Sequence, residues 1–175
     1  MLYYAVFRTK WGHFGLAGTG EAVCRTYLPL PQRDAAERGL LLGLTGAGEV
    51  SRPDTAFMPD LQRRIIAYYE GQTVDFRADP PVNLGRISPF GRKVLRACRL
   101  IGFGETSTYS ELAARVGSPK AARAVGGVMA RNPIPLIIPC HRVLRADGSL
   151  AGFSASGGTT TKQKMLHHER MATGD

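Results

Sequence analysis

The chain of 175 residues has no apolar run long enough to cross a bilayer. Its start, Met1-Leu2-Tyr3-Tyr4-Ala5-Val6, has no basic region ahead of a long apolar one, so it does not read as a signal peptide. These absences lead us to expect a protein of the reducing cytoplasm. There are only three cysteines, an odd number without a CxxC pair, which argues against a disulfide framework and against a cysteine zinc site. Internal repeats, low-complexity tracts and cofactor-binding motifs are also missing. What remains is the composition of an ordinary globular protein, long enough for one large or two small domains.

Charge is the first positive feature. The formal net charge is +9, and many of the cations lie in the middle and C-terminal parts, among them Arg92, Lys93, Arg96, Arg99, Arg115, Lys120, Arg123, Arg131, Arg142 and Arg145. A basic surface attracts phosphate backbones, although charge alone is modest evidence for that.

Pattern divides the chain. Leu2–Arg8, Phe14–Ala17 and Ala22–Leu28 read as strands of a meander separated by turn residues. Residues 31–56 read as a loop carrying a short helix over Arg33–Leu44. Asp60–Tyr69 is an amphipathic helix with Leu61, Ile65, Ile66 and Tyr69 on one face, stopped by Gly71. The prolines and glycine of 79–85 mark a linker. We therefore expect an α/β N-terminal domain over 1–80 and a mostly helical domain over 86–175.

In the second half, Pro89–Leu100 is one helix, with Cys98 on the same face as Phe90, Val94 and Ile101. Thr108-Tyr109-Ser110-Glu111 is a capping box opening a helix that runs to Val116. After Gly117, Ser118 is expected to cap a further helix, Pro119–Ala130, with Arg123 near its middle. Two helices joined by a short glycine turn suggest a helix-turn-helix; ordinary helical hairpins are commoner. Small residues on the second helix, with Lys120, Arg123 and Arg131, favour the nucleic-acid reading, because they allow close approach and phosphate contact. The last helix, Thr159–Met171, aligns Lys162, Met165, Leu166 and Glu169, and a carboxylate on that apolar stripe is costly unless paired.

The cysteines differ. Cys24 and Cys98 lie in core-like patterns, where a cysteine serves as a small hydrophobe. Cys140 follows Leu136-Ile137-Ile138-Pro139 and directly precedes His141 and Arg142, which core packing does not require. A thiol reacts as thiolate, so its neighbours must favour negative charge; His141, Arg142 and, if the last helix folds back, Glu169 are the candidates. Side chains of adjacent residues do not easily touch, so a water is expected between Cys140 and His141.

Pro139-Cys140-His141-Arg142-Val143 resembles the active-site signature of the O6-alkylguanine-DNA alkyltransferases, the methylated-DNA–protein-cysteine methyltransferases. Gly104-Glu105-Thr106-Ser107-Thr108-Tyr109, Ala121-Ala122-Arg123-Ala124-Val125-Gly126-Gly127, Asn132-Pro133-Ile134-Pro135, Gly152-Phe153-Ser154, Gly157-Gly158, Lys162, Leu166 and Glu169 resemble further family segments in the family's order. The resemblance covers about residues 86–170 closely; the N-terminal part matches only in outline. Gly102 stands where many relatives have proline.

The resemblance implies a ribonuclease H-like N-terminal domain and a helix-turn-helix C-terminal domain. It implies direct reversal of DNA damage, with the alkyl group of O6-alkylguanine, and of O4-alkylthymine, passing once and irreversibly to Cys140. It makes His141 the base acting through water, Glu169 its orienting carboxylate, Tyr109 the phenol that donates a proton or a hydrogen bond to the leaving guanine, and Asn132 the tie between the DNA-binding helices and the active-site segment. Arg123 would replace the flipped nucleotide, with Lys120, Ala122, Gly126, Arg131 and Thr108 also at the DNA, and Pro135, Val143, Ser156 and Lys162 in the pocket. It implies double-stranded alkylated DNA as partner, a monomer, and neither cofactor nor metal. Three other readings stay open: a non-catalytic lesion binder, a cysteine hydrolase and a plain helix-turn-helix regulator.

Overall fold

The computed structural model describes residues 1–44, 51–152, 155 and 157–174. A small sheet opens the chain. β1 (Leu2–Thr9), β2 (Gly12–Gly18) and β3 (Val23–Leu30) form the expected meander, each antiparallel to the next. A fourth strand, β4 (Ser51–Pro53), pairs parallel with the free edge of β1, giving the order β3-β2-β1-β4. This corrects the loop expected over 31–56. A three-residue strand beginning Ser-Arg-Pro has no alternation to reveal it.

Helix α1 (Arg33–Leu42) packs against the sheet through Ala36 and Leu40. Helix α2 (Pro59–Tyr69) buries Leu61, Ile65, Tyr68 and Tyr69, while Ile66 is only half-buried. Its buried face includes Tyr68, which lies three residues after Ile65 and seven after Leu61. The proline-rich segment then runs beside β3: Val23 N–H donates to Pro81 O (2.9 Å), and Asn83 N–H donates to Val23 O (2.7 Å).

Helix α3 (Pro89–Arg99) buries Gly91, Val94, Leu95 and Cys98, and the Ser88 hydroxyl caps it by accepting from Gly91 N–H. A two-residue strand β5 (Ser107–Thr108) leads into α4 (Tyr109–Arg115). The capping box forms: Thr108 Oγ1 accepts from Glu111 N–H (3.1 Å), and Glu111 Oε2 accepts from Thr108 N–H (2.8 Å). Gly117, with φ of 78°, ends this turn of chain in a conformation that favours glycine.

Helix α5 spans Ala122–Ala130, three residues later than expected. Residues 118–121 close a separate turn, in which Ala121 N–H donates to Ser118 O (2.9 Å). The first helical bond, Val125 N–H to Ala121 O (2.9 Å), begins after it. Ala121 is the N-cap, without a side-chain cap, so Ser118 does not cap the helix and Arg123 sits in its first turn rather than its middle. A single 3-10 turn at Cys140–Arg142 leads into β6 (Val143–Leu144), which pairs parallel with β5. Helix α6 (Gly158–Thr173) buries Lys162, Met165, Leu166 and Glu169, the stripe read from the sequence.

One apolar cluster joins the two halves, with Phe14, Leu61 and Tyr68 packed together with Val94, Leu112, Ile137 and Met165. Cys98 is fully buried in it, whereas Cys24 is half-buried, its thiol against Ala17 O (3.6 Å). Among the described residues no helix is long and apolar enough to cross a membrane.

Candidate active site

The segment before the cysteine is held from two sides. Asn132, just past α5, donates its side-chain N–H to Ile138 O (2.8 Å) and accepts from Ile134 N–H (3.0 Å). It thereby ties the end of α5 to the stretch that delivers Cys140. From the other side, β3 contributes Thr26, whose hydroxyl donates to Pro135 O (2.7 Å) and whose N–H donates to Pro133 O (3.1 Å). Thr26 was not among the expected site residues. Between these ties Leu136 adopts a left-handed φ of 76°, a strained setting for a residue with a branched side chain.

Cys140 opens the 3-10 turn and is buried, but it also lines a cavity of about 280 Å³ bounded by Pro135, Asn132, Arg131 and residues of β3. Burial pushes the thiol's pKa up, while the Asn132 side chain, the Lys162 ammonium and the nearby backbone N–H groups pull it down; the net direction is upward. The resting group is therefore a thiol.

His141 is fully buried, and its Nε2 lies 2.6 Å from Glu169 Oε1. Glu169 is the most heavily engaged side chain of the site. Its Oε1 also accepts from Tyr68 Oη (2.9 Å) and Arg142 Nη2 (3.0 Å), and its Oε2 accepts from Arg142 Nε (2.9 Å) and Gly104 N–H (3.1 Å). Burial works to raise its pKa, but bonds and charge from His141 and Arg142 outweigh burial and hold the carboxyl well below the usual range. The two-pronged Arg142 contact is the strong form of such a pair.

Because the carboxylate only accepts, His141 must carry its proton on Nε2. Burial lowers the imidazole's pKa more than Glu169 raises it, so the ring is neutral at rest. Its Nδ1, buried and without a hydrogen-bond partner among the described residues, is then an acceptor on the residue next to Cys140.

Arg142, one of the groups considered for direct stabilisation of the thiolate, points elsewhere. It grips Glu169, donates to Ile101 O (2.7 Å) and lies over the Phe103 ring. Lys162 donates to Val143 O (2.5 Å) and approaches Tyr109 Oη (3.5 Å). Burial lowers the Lys162 pKa and raises that of the half-buried Tyr109. The capping box sets Tyr109 as the first residue of α4. Gly126 of α5 faces it: a Cβ there would stand 3.8 Å from Tyr109 Cδ1.

The expected residues thus fall into two groups. Cys140, His141, Glu169, Asn132, Tyr109, Lys162, Val143 and Pro135 converge on one region. Arg123, Lys120 and Arg131 are exposed, Ala122 and Thr108 half-buried. Ser156, with Phe153 and Ser154, lies outside the described residues. Sequence reading missed Tyr68 and Thr26. A signal for Tyr68 existed: helical spacing put it in the core, where a phenol needs a partner.

Fold and site together define an α/β protein whose buried thiol, imidazole and carboxylate lie behind two short helices bearing exposed cations. The model of the 6-O-methylguanine DNA methyltransferase DNA-binding domain matches residues 89–171. The chain is 32% identical over 177 residues to the methylated-DNA–protein-cysteine methyltransferase of Methanosarcina acetivorans, covering 96% of this chain and 98% of that one. It is 51% identical over 86 residues to the rat protein of that name, 49% of this chain but 41% of the relative, so the match spans about two fifths of the rat protein's length. The structure superposes on Mycobacterium tuberculosis OGT in complex with DNA with a TM-score of 0.78, 32% identity, and coverage of 97% of this chain and 94% of that one. The chain belongs to the methylated-DNA–protein-cysteine methyltransferase family.

Proposed function

We propose that the protein repairs DNA by moving an alkyl group from O6 of guanine, and from O4 of thymine, onto Cys140 Sγ, once per molecule. The observation that carries this is the buried His141, bonded to Glu169 through Nε2 and left with an unpartnered Nδ1 next to Cys140. In the reaction the Cys140 proton passes through a water to His141 Nδ1. The imidazolium that forms is stabilised by the ionised Glu169. Sγ attacks the alkyl carbon, the carbon–O6 bond breaks, and its electron pair goes to the guanine. The Tyr109 hydroxyl, which accepts from Lys162, donates its proton toward the leaving base. The product thioether has no route back to a thiol, so turnover stops. DNA supplies the alkyl group, and the reaction as written uses no cofactor.

An alkylated O6 is buried in the duplex, so the nucleotide must be extruded to reach the cavity beside Cys140. In this reading α4 and α5 act as a helix-turn-helix, Ala122 and Gly126 allow close approach, and Lys120, Arg131 and Thr108 meet the backbone. Arg123 fills the vacated place in the stack. Pro135, Val143 and Lys162 shape the base pocket. Residues 1–80 form a ribonuclease H-like domain that supports the active-site segment through Thr26, and residues 86–175 form the DNA-binding and acceptor domain. The protein acts as a cytoplasmic monomer. That a relative of similar fold is known in complex with DNA supports this reading.

Incubation with a duplex carrying one O6-methylguanine, followed by intact-mass and peptide measurement, tests it. One methyl group on Cys140, and no further turnover, is the expected result. Unmodified protein with DNA bound would favour a lesion binder instead, and ester or peptide hydrolysis a cysteine hydrolase.

A further inference from the structure

Three donors crowd a single oxygen of the site. Glu169 Oε1 accepts from His141 Nε2 at 2.6 Å, from Tyr68 Oη at 2.9 Å and from Arg142 Nη2 at 3.0 Å. A carboxylate oxygen has two lone-pair directions, so three donors share what two would saturate. Two of the three directly follow the reacting cysteine in sequence. The third arrives from α2, 101 residues away in the chain, and is fully buried.

We infer that Tyr68 is a positioning residue that sets the basicity of His141 by competing with it for Glu169 Oε1. The inference rests on the alkyl-transfer reading of the site. A hydrogen bond to a carboxylate spreads its charge and weakens its hold on any other donor. With the Tyr68 hydroxyl in place, Glu169 stabilises the His141 imidazolium less than it otherwise would, and the ring stays neutral and able to take the Cys140 proton. Tyr68 is itself well fixed. Its backbone O lies 2.6 Å from His168 Nε2, and its ring packs edge-on against Tyr69 and Phe103. Other charged or titratable groups face the pair from the neighbouring elements: Tyr69 on α2, Arg142 on the 3-10 turn, and Lys162 on α6. None of these reaches Oε1 from outside the turn, as Tyr68 does. A device of this kind gives the N-terminal half a direct part in the chemistry.

Tyr68→Phe removes the hydroxyl and keeps the ring. Tyr69→Phe is the matched control, because the Tyr69 hydroxyl is buried beside it with no hydrogen-bond partner among the described residues. Two readouts are taken on full-length protein: the His141 titration by NMR of labelled imidazole, and the pH profile of methyl transfer from O6-methylguanine duplex. In Tyr68→Phe the His141 titration, and with it the acid limb of the rate profile, moves to higher pH by about half a unit or more, while Tyr69→Phe overlays the wild type. Incorporating 3-fluorotyrosine at 68, a stronger donor, moves both the other way and serves if Tyr68→Phe does not fold. An unchanged His141 titration in these Tyr68 variants, or an equal shift in Tyr69→Phe, overturns the inference. Wild-type protein that transfers no methyl group at all overturns the functional reading instead, and the NMR titration still decides the coupling.

Discussion

His141 and Glu169 meet through Nε2 and Oε1 at 2.6 Å, both side chains closed off from solvent. That one contact decides which ring nitrogen is free, because an ionised carboxylate can only accept. It also ties the site's protonation to the stability of the fold.

The first prediction concerns that tie. Unfolded histidine and glutamate bind protons at about pH 6.5 and about pH 4.3. In the fold His141 is held below its ordinary value by burial, and Glu169 below its own by His141 and Arg142 in spite of burial. In both cases the unfolded chain binds more protons than the native one, so stability falls as pH falls. Denaturant titrations should show a first loss as pH drops through about 6.5, from His141, and a second below about pH 4.5, from Glu169. His141→Gln should flatten the first step and shrink the second, because His141 is the larger of the two influences that lower Glu169. A wild-type stability that rises from neutral pH toward pH 5 would contradict the assignment.

Breaking the carboxylate cluster should be costly. Glu169→Gln leaves the buried Arg142 guanidinium without its counter-charge, and removing one partner of a buried pair costs about 3–5 kcal/mol. Urea unfolding measures this, and a loss below about 1 kcal/mol would show that Arg142 finds another partner.

Tyr109→Phe tests the proton donor. The ring stays beside Gly126, so DNA affinity should hold within a few-fold, whereas transfer should slow by about 100-fold or more if the hydroxyl protonates the leaving base. Single-turnover kinetics at saturating DNA separate the two quantities. Equal rates for variant and wild type would remove Tyr109 from the chemistry.

Thr26→Val tests the support from β3. The substitution keeps the side-chain shape but strips the donor from Pro135 O, leaving a buried carbonyl unmatched at about 1–3 kcal/mol. Transfer should slow while DNA binding is unchanged, since Thr26 touches the active-site segment rather than the exposed cations. A variant that loses DNA affinity instead would place β3 at the DNA.

Arg123→Ala tests extrusion. A side chain that fills the vacated stack offsets part of an unstacking cost of a few kcal/mol or so, and arginine can stack and hydrogen-bond at once. Its position in the first turn of α5, exposed, leaves the side chain free to extend. Transfer from duplex should slow even at saturation, while reaction with free O6-benzylguanine stays near wild type. Equal loss on both substrates would mean that the active site itself is damaged.

What the sequence by itself determined is what depends on near neighbours. The capping box at Thr108 and Glu111, the stripe Lys162-Met165-Leu166-Glu169, and the oddity of Cys140-His141-Arg142 after an apolar run all lie within a few residues, and all three stand in the structure. Chemistry also gave the rule that Glu169 could not remain unpaired on an apolar face. The same local logic misplaced the start of α5, because Ser118-Pro119 is a good helix opening that here completes a turn of its own. Only the tertiary structure decided who pairs with Glu169. Tyr68, Gly104, His141 and Arg142 come from three separate stretches of chain, and no periodicity links them. It likewise decided that Thr26 braces the segment before the cysteine and that Arg142 holds the carboxylate rather than the thiol. Contacts between distant residues follow from how the core packs, and packing involves the whole chain at once.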